Sequence, residues 1–390
     1  MQTLHLLKNQ ERRLLAGHLW IYSNEIDVRQ SPLKQYQPGE LVQVFSSQQQ
    51  PLGIAYINPR CLLVARLLTR HARDTIDEAF FIKRITRAIE QRERLFSTPY
   101  YRAVYGESDG LPGLVIDRFN DVWVIQANTA GMDAQLNTII AVLPKIRPAN
   151  TIVLANESTQ RTLEGLENYR KIAVGDATTC RLIENECEFE LPLLTGQKTA
   201  WFYDHRASRR FISQYAKGKT VLDVFSYLGG FALSCAKQGA SRVVAIDSSE
   251  AALAGLQHNA ALNALTVEII AENAFIAMKT LIDDGQTFDI VIVDPPALIK
   301  KKKDEAEGMQ AYQKLNELAL QLLAPQALLL TASCSMHLAS TDLKNLLRRA
   351  SVKQKRPVSI LHQCHQDADH PIHPAIEETE YLKGFVVAGY

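Results

Sequence analysis

The second half of the chain alternates short apolar runs with amphipathic stretches. Residues 221–224, 242–246, 267–270, 288–293 and 327–331 are nearly continuous in Val, Ile, Leu and Phe. Such runs suit parallel strands covered on both faces. Helical periodicity fills the intervals, at 231–237, 250–262, 274–282, 310–323 and 342–350. The helix at 250 is capped by Ser248 or Ser249. Strands at 359–362 and 382–388 close the chain. This order predicts an α/β fold, a doubly wound, Rossmann-like sheet with a late pair of strands.

The first half follows other periods. Residues 1–72 hold short β-like runs at 41–44, 53–57 and 62–67, separated by Pro38-Gly39 and Asn58-Pro59. They predict a small β-barrel. Residues 74–95 read as one amphipathic helix with Ala79, Ile82, Ile85 and Ile89 on its apolar stripe. A mixed α/β pattern follows. Strands at 114–116 and 122–126 flank a polar turn, 117–121, as in a hairpin. A helix at 133–145 and strands at 153–156 and 187–191 complete it. The expected domains are 1–72, 73–192 and 193–390.

Polar residues fall at the carboxyl ends of the C-terminal strands, where such sheets bind ligands. The first strand carries Asp223 and breaks into Ser226-Tyr227-Leu228-Gly229-Gly230 before Phe231 opens a helix. Two adjacent glycines allow positive φ and a close approach of ligand to backbone. The second strand ends on Asp247, placed to accept from a ribose diol. The G-x-G-x-x-G fingerprint is absent. Asp223 would repel a pyrophosphate and attract an ammonium, so the chemistry favours S-adenosylmethionine over a dinucleotide. Asp294-Pro295-Pro296 ends the fourth strand in a rigid turn suited to an exocyclic base amine. Cys334, between Ser333 and Ser335, ends the fifth. It is either a small buried residue or a nucleophile for C6 of a pyrimidine, and His337, two residues on, either lowers its thiol pKa or is merely exposed. Residues 195–210 carry Tyr203, Asp204, His205 and Arg206 and read as a lid or entry segment whose arginines reach phosphates.

Composition narrows the class. A length of 390 residues exceeds one ordinary core, and 46% hydrophobic with 22% charged residues describes a globular chain. Six cysteines without C-x-x-C spacing predict reduced thiols, no metal site and a cytoplasmic setting. No signal peptide or membrane span is expected, and no membrane partner. The net charge of +1 argues against a uniformly basic nucleic-acid binder. The first 75 residues nonetheless hold nine Lys or Arg against five acids. That balance fits an RNA-touching barrel and an ordinary solvated surface equally. The Lys300–Lys303 run is read as a mobile, RNA-facing loop, with an ordinary solvated charge run as the alternative.

GHLWIYSNEI, PGELVQVF, YINPRCLLVARLLTR, GESDGLPGLVIDRFND, TGQKTAWFYDHRASRR, VLDVFSYLGGF, VVAIDSS, VIVDPPAL, LLTASCSMH and HPAIEETEYLKGF occur in this order. The whole chain thereby resembles the RlmI-like family of class I S-adenosylmethionine-dependent 23S ribosomal RNA methyltransferases. That resemblance implies an N-terminal PUA domain, a central domain, a methyltransferase domain and cytosine-C5 methylation of 23S rRNA. It implies a cofactor site of Asp223, Ser226, Tyr227, Gly229, Gly230 and Phe231 on the methionine side, and Asp247 with Ser248 on the ribose. Asn273 and Ala274 lie at the adenine, Asn273 replacing the usual acid. Tyr203, Asp204 and Arg206 line the entry. Asp294 with Pro295 holds the base, Cys334 is the nucleophile, and His205 replaces a usual Gln. Relatives form homodimers, but no interface is legible in this sequence. The alternatives are another RNA base or position, or a decayed RNA-binding assembly factor.

Overall fold

The structure, a computed structural model, describes all 390 residues. The chain divides into two units. One comprises Met1–Cys180, Pro192–Trp201 and Ala368–Thr379; the other comprises Arg181–Leu191, Phe202–Asp367 and Glu380–Tyr390.

In the first unit, a five-stranded sheet runs in the order Gln2–His5, Glu40–Phe45, Pro51–Ile57, Leu63–Thr69, Trp20–Tyr22. Its inward residues include Leu4, Val42, Val44, Ile57 and Leu67. Two of these strands, Gln2–His5 and Trp20–Tyr22, escape sequence reading because four and three residues are too short to show an alternation. A second five-stranded sheet has the order Tyr169–Val174, Thr151–Asn156, Val122–Ala127, Leu114–Phe119, Tyr100–Tyr105. The helix Glu78–Leu95 starts at an Asp77 cap that accepts from Phe80 N. It packs Phe81, Ile85 and Ile89 into the core of this sheet.

The hairpin turn shrinks to Asn120 and Asp121, with Asn120 at φ 61°. Asp117 and Arg118 lie in the strand instead. Asp117 can be buried because Arg102 on the neighbouring strand grips both its oxygens at 2.8 Å. The helix expected at 133–145 is two pieces, Ala130–Ala134 and Leu136–Ile146, divided at Gln135.

In the second unit, seven strands take the order Glu268–Ala271, Arg242–Asp247, Thr220–Val224, Phe288–Val293, Leu323–Ser333, Lys383–Gly389, Val358–His365. The first five are parallel, and Lys383–Gly389 runs antiparallel to both neighbours. Alternate residues of the central strands enter opposite cores. Leu222, Val224, Val244, Ile246, Val291 and Val293 face one, while Val221, Val243, Ile290 and Ile292 face the other. Full burial of each such side chain contributes about 1.5–3 kcal/mol. That two-sided burial is why the strands read as unbroken apolar runs.

The fifth strand begins at Leu323 rather than 327, because Leu323 pairs with Phe288. The helix before it spans Glu305–Gln321. The chain leaves Thr220–Val224 toward Arg242–Asp247 on one side and returns to Phe288–Val293 on the other. The crevice beyond the Asp223 and Asp294 strands is thus the sheet's topological switch point.

Candidate active site

The loop after Val224 is held by its neighbours. Phe225 N and Ser226 N both donate to Ile246 O, at 2.9 and 3.0 Å, which turns the chain sharply off the strand. Asp247 then clasps two loops, accepting from Tyr227 N and Ser249 N at 2.9 Å each. Of the two glycines only Gly229 has positive φ, at 88°; Gly230 is the first residue of the helix Gly230–Lys237. A Cβ on Gly229 would lie 2.8 Å from Leu256 Cγ. One of the two glycines thus uses the freedom that both have, and the other left-handed residues of the loop are Phe225 (φ 69°) and Tyr227 (φ 50°). Such conformations cost about 1–3 kcal/mol apiece and are held only where surrounding bonds impose them.

Asp223 is 1% exposed, and its Oδ2 accepts from Ala232 N at 3.0 Å, at the start of that helix. Burial pushes its carboxyl up to about 7 despite this hydrogen bond, and the nearby Asp294 and Asp247 add to the rise. Three carboxylates therefore converge at the switch point. The buried Ser226 Oγ has no protein partner.

At the ends of the next two strands, Cys334 Sγ lies 4.0 Å from Pro295 O. The flanking serines turn away into a buried network. Tyr312 Oη bonds Ser333 Oγ at 2.8 Å and Ser335 Oγ at 2.9 Å, and Ser335 Oγ also accepts from Ile299 N at 3.1 Å. Strand alternation thus leaves Cys334 partly exposed while its neighbours tie the turn to the Asp-Pro-Pro loop. His337 is exposed. The cation that acts on Cys334 is instead Lys383, whose Nζ donates to Ser335 O at 2.7 Å and Leu338 O at 2.8 Å. Burial lowers the Lys383 ammonium, and the charge of Cys334 opposes that. Lys383 sits in a strand remote in sequence, so only the signature Tyr-Leu-Lys-Gly hinted at it.

Asp294 Oδ1 meets His205 Nε2 at 3.1 Å. Burial alone would lower the His205 imidazole, but the Asp294 carboxylate, with Asp204, raises it overall. His205 Nδ1 is buried without a hydrogen-bond partner. The ring also stands 5.6 Å, edge-on, from Phe231.

The entry segment is less open than its sequence suggested. Asp204 Oδ2 accepts from Tyr381 Oη, and Asp204 O accepts from Asp367 N at 3.1 Å. Arg206 reaches Glu184 at 3.4 Å and Asp367 at 3.7 Å, and lies 4.7 Å over the Tyr203 ring. Arg209 meets the same Glu184 at 2.6 Å. Arg206 and Arg209 are engaged by carboxylates, which corrects the expectation that they reach phosphates; the third arginine of the segment, Arg210, is exposed. Tyr203 is fully buried. Asn273 is an exposed helix cap, its Oδ1 accepting from Phe275 N at 3.0 Å, with the buried Ala274 next. Ser248 is exposed, and the cap of the Glu250–Leu262 helix is Ser249.

Residues 4–70 match the family model described as a PUA-like domain, and residues 168–386 that of the S-adenosylmethionine-dependent methyltransferases. The chain is 35% identical over 390 residues to ribosomal RNA large subunit methyltransferase I of Erwinia tasmaniensis, with 98% of each covered. It is 34% identical over 391 residues to the protein of that name in Cronobacter sakazakii, again with 98% of each covered. Among solved structures, a protein assigned as a SAM-dependent methyltransferase from Streptococcus mutans aligns over 100% of both chains, with TM-score 0.82 and 20% identity. A protein assigned as a methyltransferase, complexed with SAH, aligns over 100% of both at TM-score 0.84 and 21% identity.

The residues at the switch point fit such a cofactor. Three clustered carboxylates, one of them pushed toward neutrality, call for a cationic ligand, and S-adenosylmethionine carries an ammonium and a sulfonium. The orphaned Ser226 Oγ offers it a further hydrogen bond.

Proposed function

Because the chain belongs to the ribosomal RNA large subunit methyltransferase I family of S-adenosylmethionine-dependent methyltransferases, we propose that it methylates C5 of a cytosine in 23S ribosomal RNA. The observation that carries this reading is Cys334 beside Pro295 O, with Asp294 at the end of the adjacent strand and Lys383 held at the same turn. A thiolate there adds to C6 of the cytosine, which makes C5 nucleophilic. C5 takes the methyl group that the bound cofactor supplies. Loss of the C5 proton then breaks the sulfur–C6 bond and frees Cys334.

The other residues bind and orient. Asp223 meets the ammonium of the cofactor, together with the loop of Ser226, Tyr227, Gly229, Gly230 and Phe231. Asp247, with one amide bond on each oxygen, keeps lone pairs for the ribose hydroxyls. Ser248, Asn273 and Ala274 border the nucleoside, and Tyr203, Asp204 and Arg206 stiffen the wall. Asp294 and Pro295 hold the amino edge of the cytosine. The base must leave its stack to reach them. Residues 1–72 serve RNA binding, residues 73–192 form the central domain, and residues 193–390 carry the chemistry. No helix is long and apolar enough to cross a membrane, and the substrate puts the reaction in the cytoplasm.

The test uses methyl-labelled S-adenosylmethionine, ribosomal RNA lacking native methylation, and nucleoside analysis. Label in 5-methylcytosine, lost in Cys334→Ala while cofactor affinity is kept, is the expected result. Label in another nucleoside, or turnover by Cys334→Ala, refutes the covalent route.

A further inference from the structure

The arginines of the first unit differ in what holds them. Buried ones close on carboxylates: Arg66 on Glu164 at 2.8 Å, Arg92 on Asp109 at 2.7 Å, Arg161 on Asp133 at 2.7 Å. Arg70, Arg84 and Arg87 have no carboxylate within 4.0 Å. Arg70 donates to the carbonyls of Leu14 and His18, Arg84 to Leu68 O at 3.2 Å, and Arg87 to Asp109 O at 3.3 Å. Backbone carbonyls aim these guanidiniums without neutralising them.

All three line one cleft of about 280 Å³, with His71, Ser108 and His373. Its acid, Glu107, is already engaged by Trp20 Nε1 at 2.9 Å. Ser108 Oγ is buried and has no partner. Gly110, at φ 72°, also borders the cleft, and a Cβ there would lie 2.4 Å from Arg84 Nη1. The missing side chain at Gly110 thus leaves the space that this guanidinium occupies. The cleft repels its own positive charge. Burial and then Arg87 lower the Arg84 guanidinium, which Asp74 partly offsets. Burial lowers the His373 imidazole, with Glu107 opposing and Arg70 reinforcing.

We propose that this cleft is an anion subsite that takes a phosphodiester of RNA, bound by Arg70, Arg84 and Arg87, with Ser108 Oγ as a further donor. Planar guanidiniums suit the several non-bridging and ester oxygens of a phosphate. The volume exceeds that of a bare phosphate, and Leu19 and Leu67 on the cleft wall suit the attached sugar. A backbone of repeating phosphates can satisfy this site while its other nucleotides lie elsewhere. The choice of RNA as the source rests on the methyltransferase reading above; the anion chemistry does not.

The experiment measures binding of an unmodified ribosomal RNA fragment to the full chain across a salt series, alongside calorimetric binding of S-adenosylmethionine. Arg84→Gln with Arg70→Gln is expected to weaken RNA binding about tenfold. It should also make the slope of log K against log salt shallower by about 0.7 per lost phosphate contact. Cofactor affinity should not move. The exposed Arg87→Glu guards against misfolding and should weaken RNA binding at least as much. Unchanged RNA affinity in both variants overturns the proposal while leaving the methyltransferase reading intact. Wild-type protein that binds no RNA overturns both. Wild type whose stabilisation by inorganic phosphate is lost in the variants, with RNA affinity unmoved, shows a small-anion site and overturns the assignment to RNA.

Discussion

Asp223 makes a prediction whose size follows from its burial. A carboxyl that ordinarily ionises near 3.8 ionises here at about 7. The folded protein therefore holds this proton more tightly than the unfolded chain does. Below the unfolded value both states are protonated and stability is unaffected. As pH rises from about 4 to 7 the unfolded chain ionises first, and the fold loses up to ~4 kcal/mol, from roughly three units at 1.36 kcal/mol each. Bound S-adenosylmethionine reverses the balance, because its positive charges favour the ionised form. Binding at pH 6.5, where about three-quarters of the carboxyls are protonated, should release most of one proton.

Asp223→Asn keeps the shape and removes the titration. The ligand-free variant should melt higher than wild type at pH 8 and equally at pH 4. It should bind the cofactor about ten- to a hundredfold more weakly. Calorimetry in buffers of different ionisation enthalpy reads the released proton as a difference between wild type and variant. That difference isolates the carboxyl from the cofactor's own amino group. Equal proton release by both proteins would refute the reasoning, because Asp223 would then be ionised beforehand or remote from the cation.

Other outcomes follow from the neighbouring groups. Lys383→Met removes the cation beside Cys334 and should slow iodoacetamide alkylation of Cys334 at pH 7.5 about tenfold, with partial recovery in Lys383→Arg; unchanged alkylation would show that Lys383 only braces the turn. His205→Gln keeps a donor for Asp294 but no titrating charge. Its single-turnover rate should lose the pH dependence expected of wild type on the alkaline side of an ordinary imidazole's range, where the raised imidazole sheds its proton; superimposable profiles would remove His205 from the site. Tyr312→Phe leaves Ser333 and Ser335 without their shared partner and should cost about 1–3 kcal/mol by denaturant unfolding, with little change in cofactor affinity.

The sequence by itself determined the fold class, the cofactor class and the strand ends that carry the chemistry. Parallel strands buried on both faces must be apolar throughout, so Val221–Val224 and its neighbours announce themselves, and the polar residues that interrupt them mark the crevice. Asp223, Asp247, Asp294 and Cys334 were therefore legible from their positions alone. Short strands such as Tyr100–Tyr105 and Tyr169–Val174 were not, because charged residues in them are paired across the sheet or face solvent.

Tertiary structure alone decided the partners. Lys383 reaches the Cys334 turn from 48 residues beyond Ser335, and His205 reaches Asp294 from an entry segment that reads as a lid. Glu184, on a hairpin strand, takes up Arg206 and Arg209, two of the three arginines expected to face phosphates. Three arginines from a strand end and one helix meet in a cleft that no local pattern marks. Periodicity records which face of an element is buried. It does not record which charge from a distant segment arrives there: that arrival raises His205 against its burial, while burial itself shifts Asp223 and Lys383.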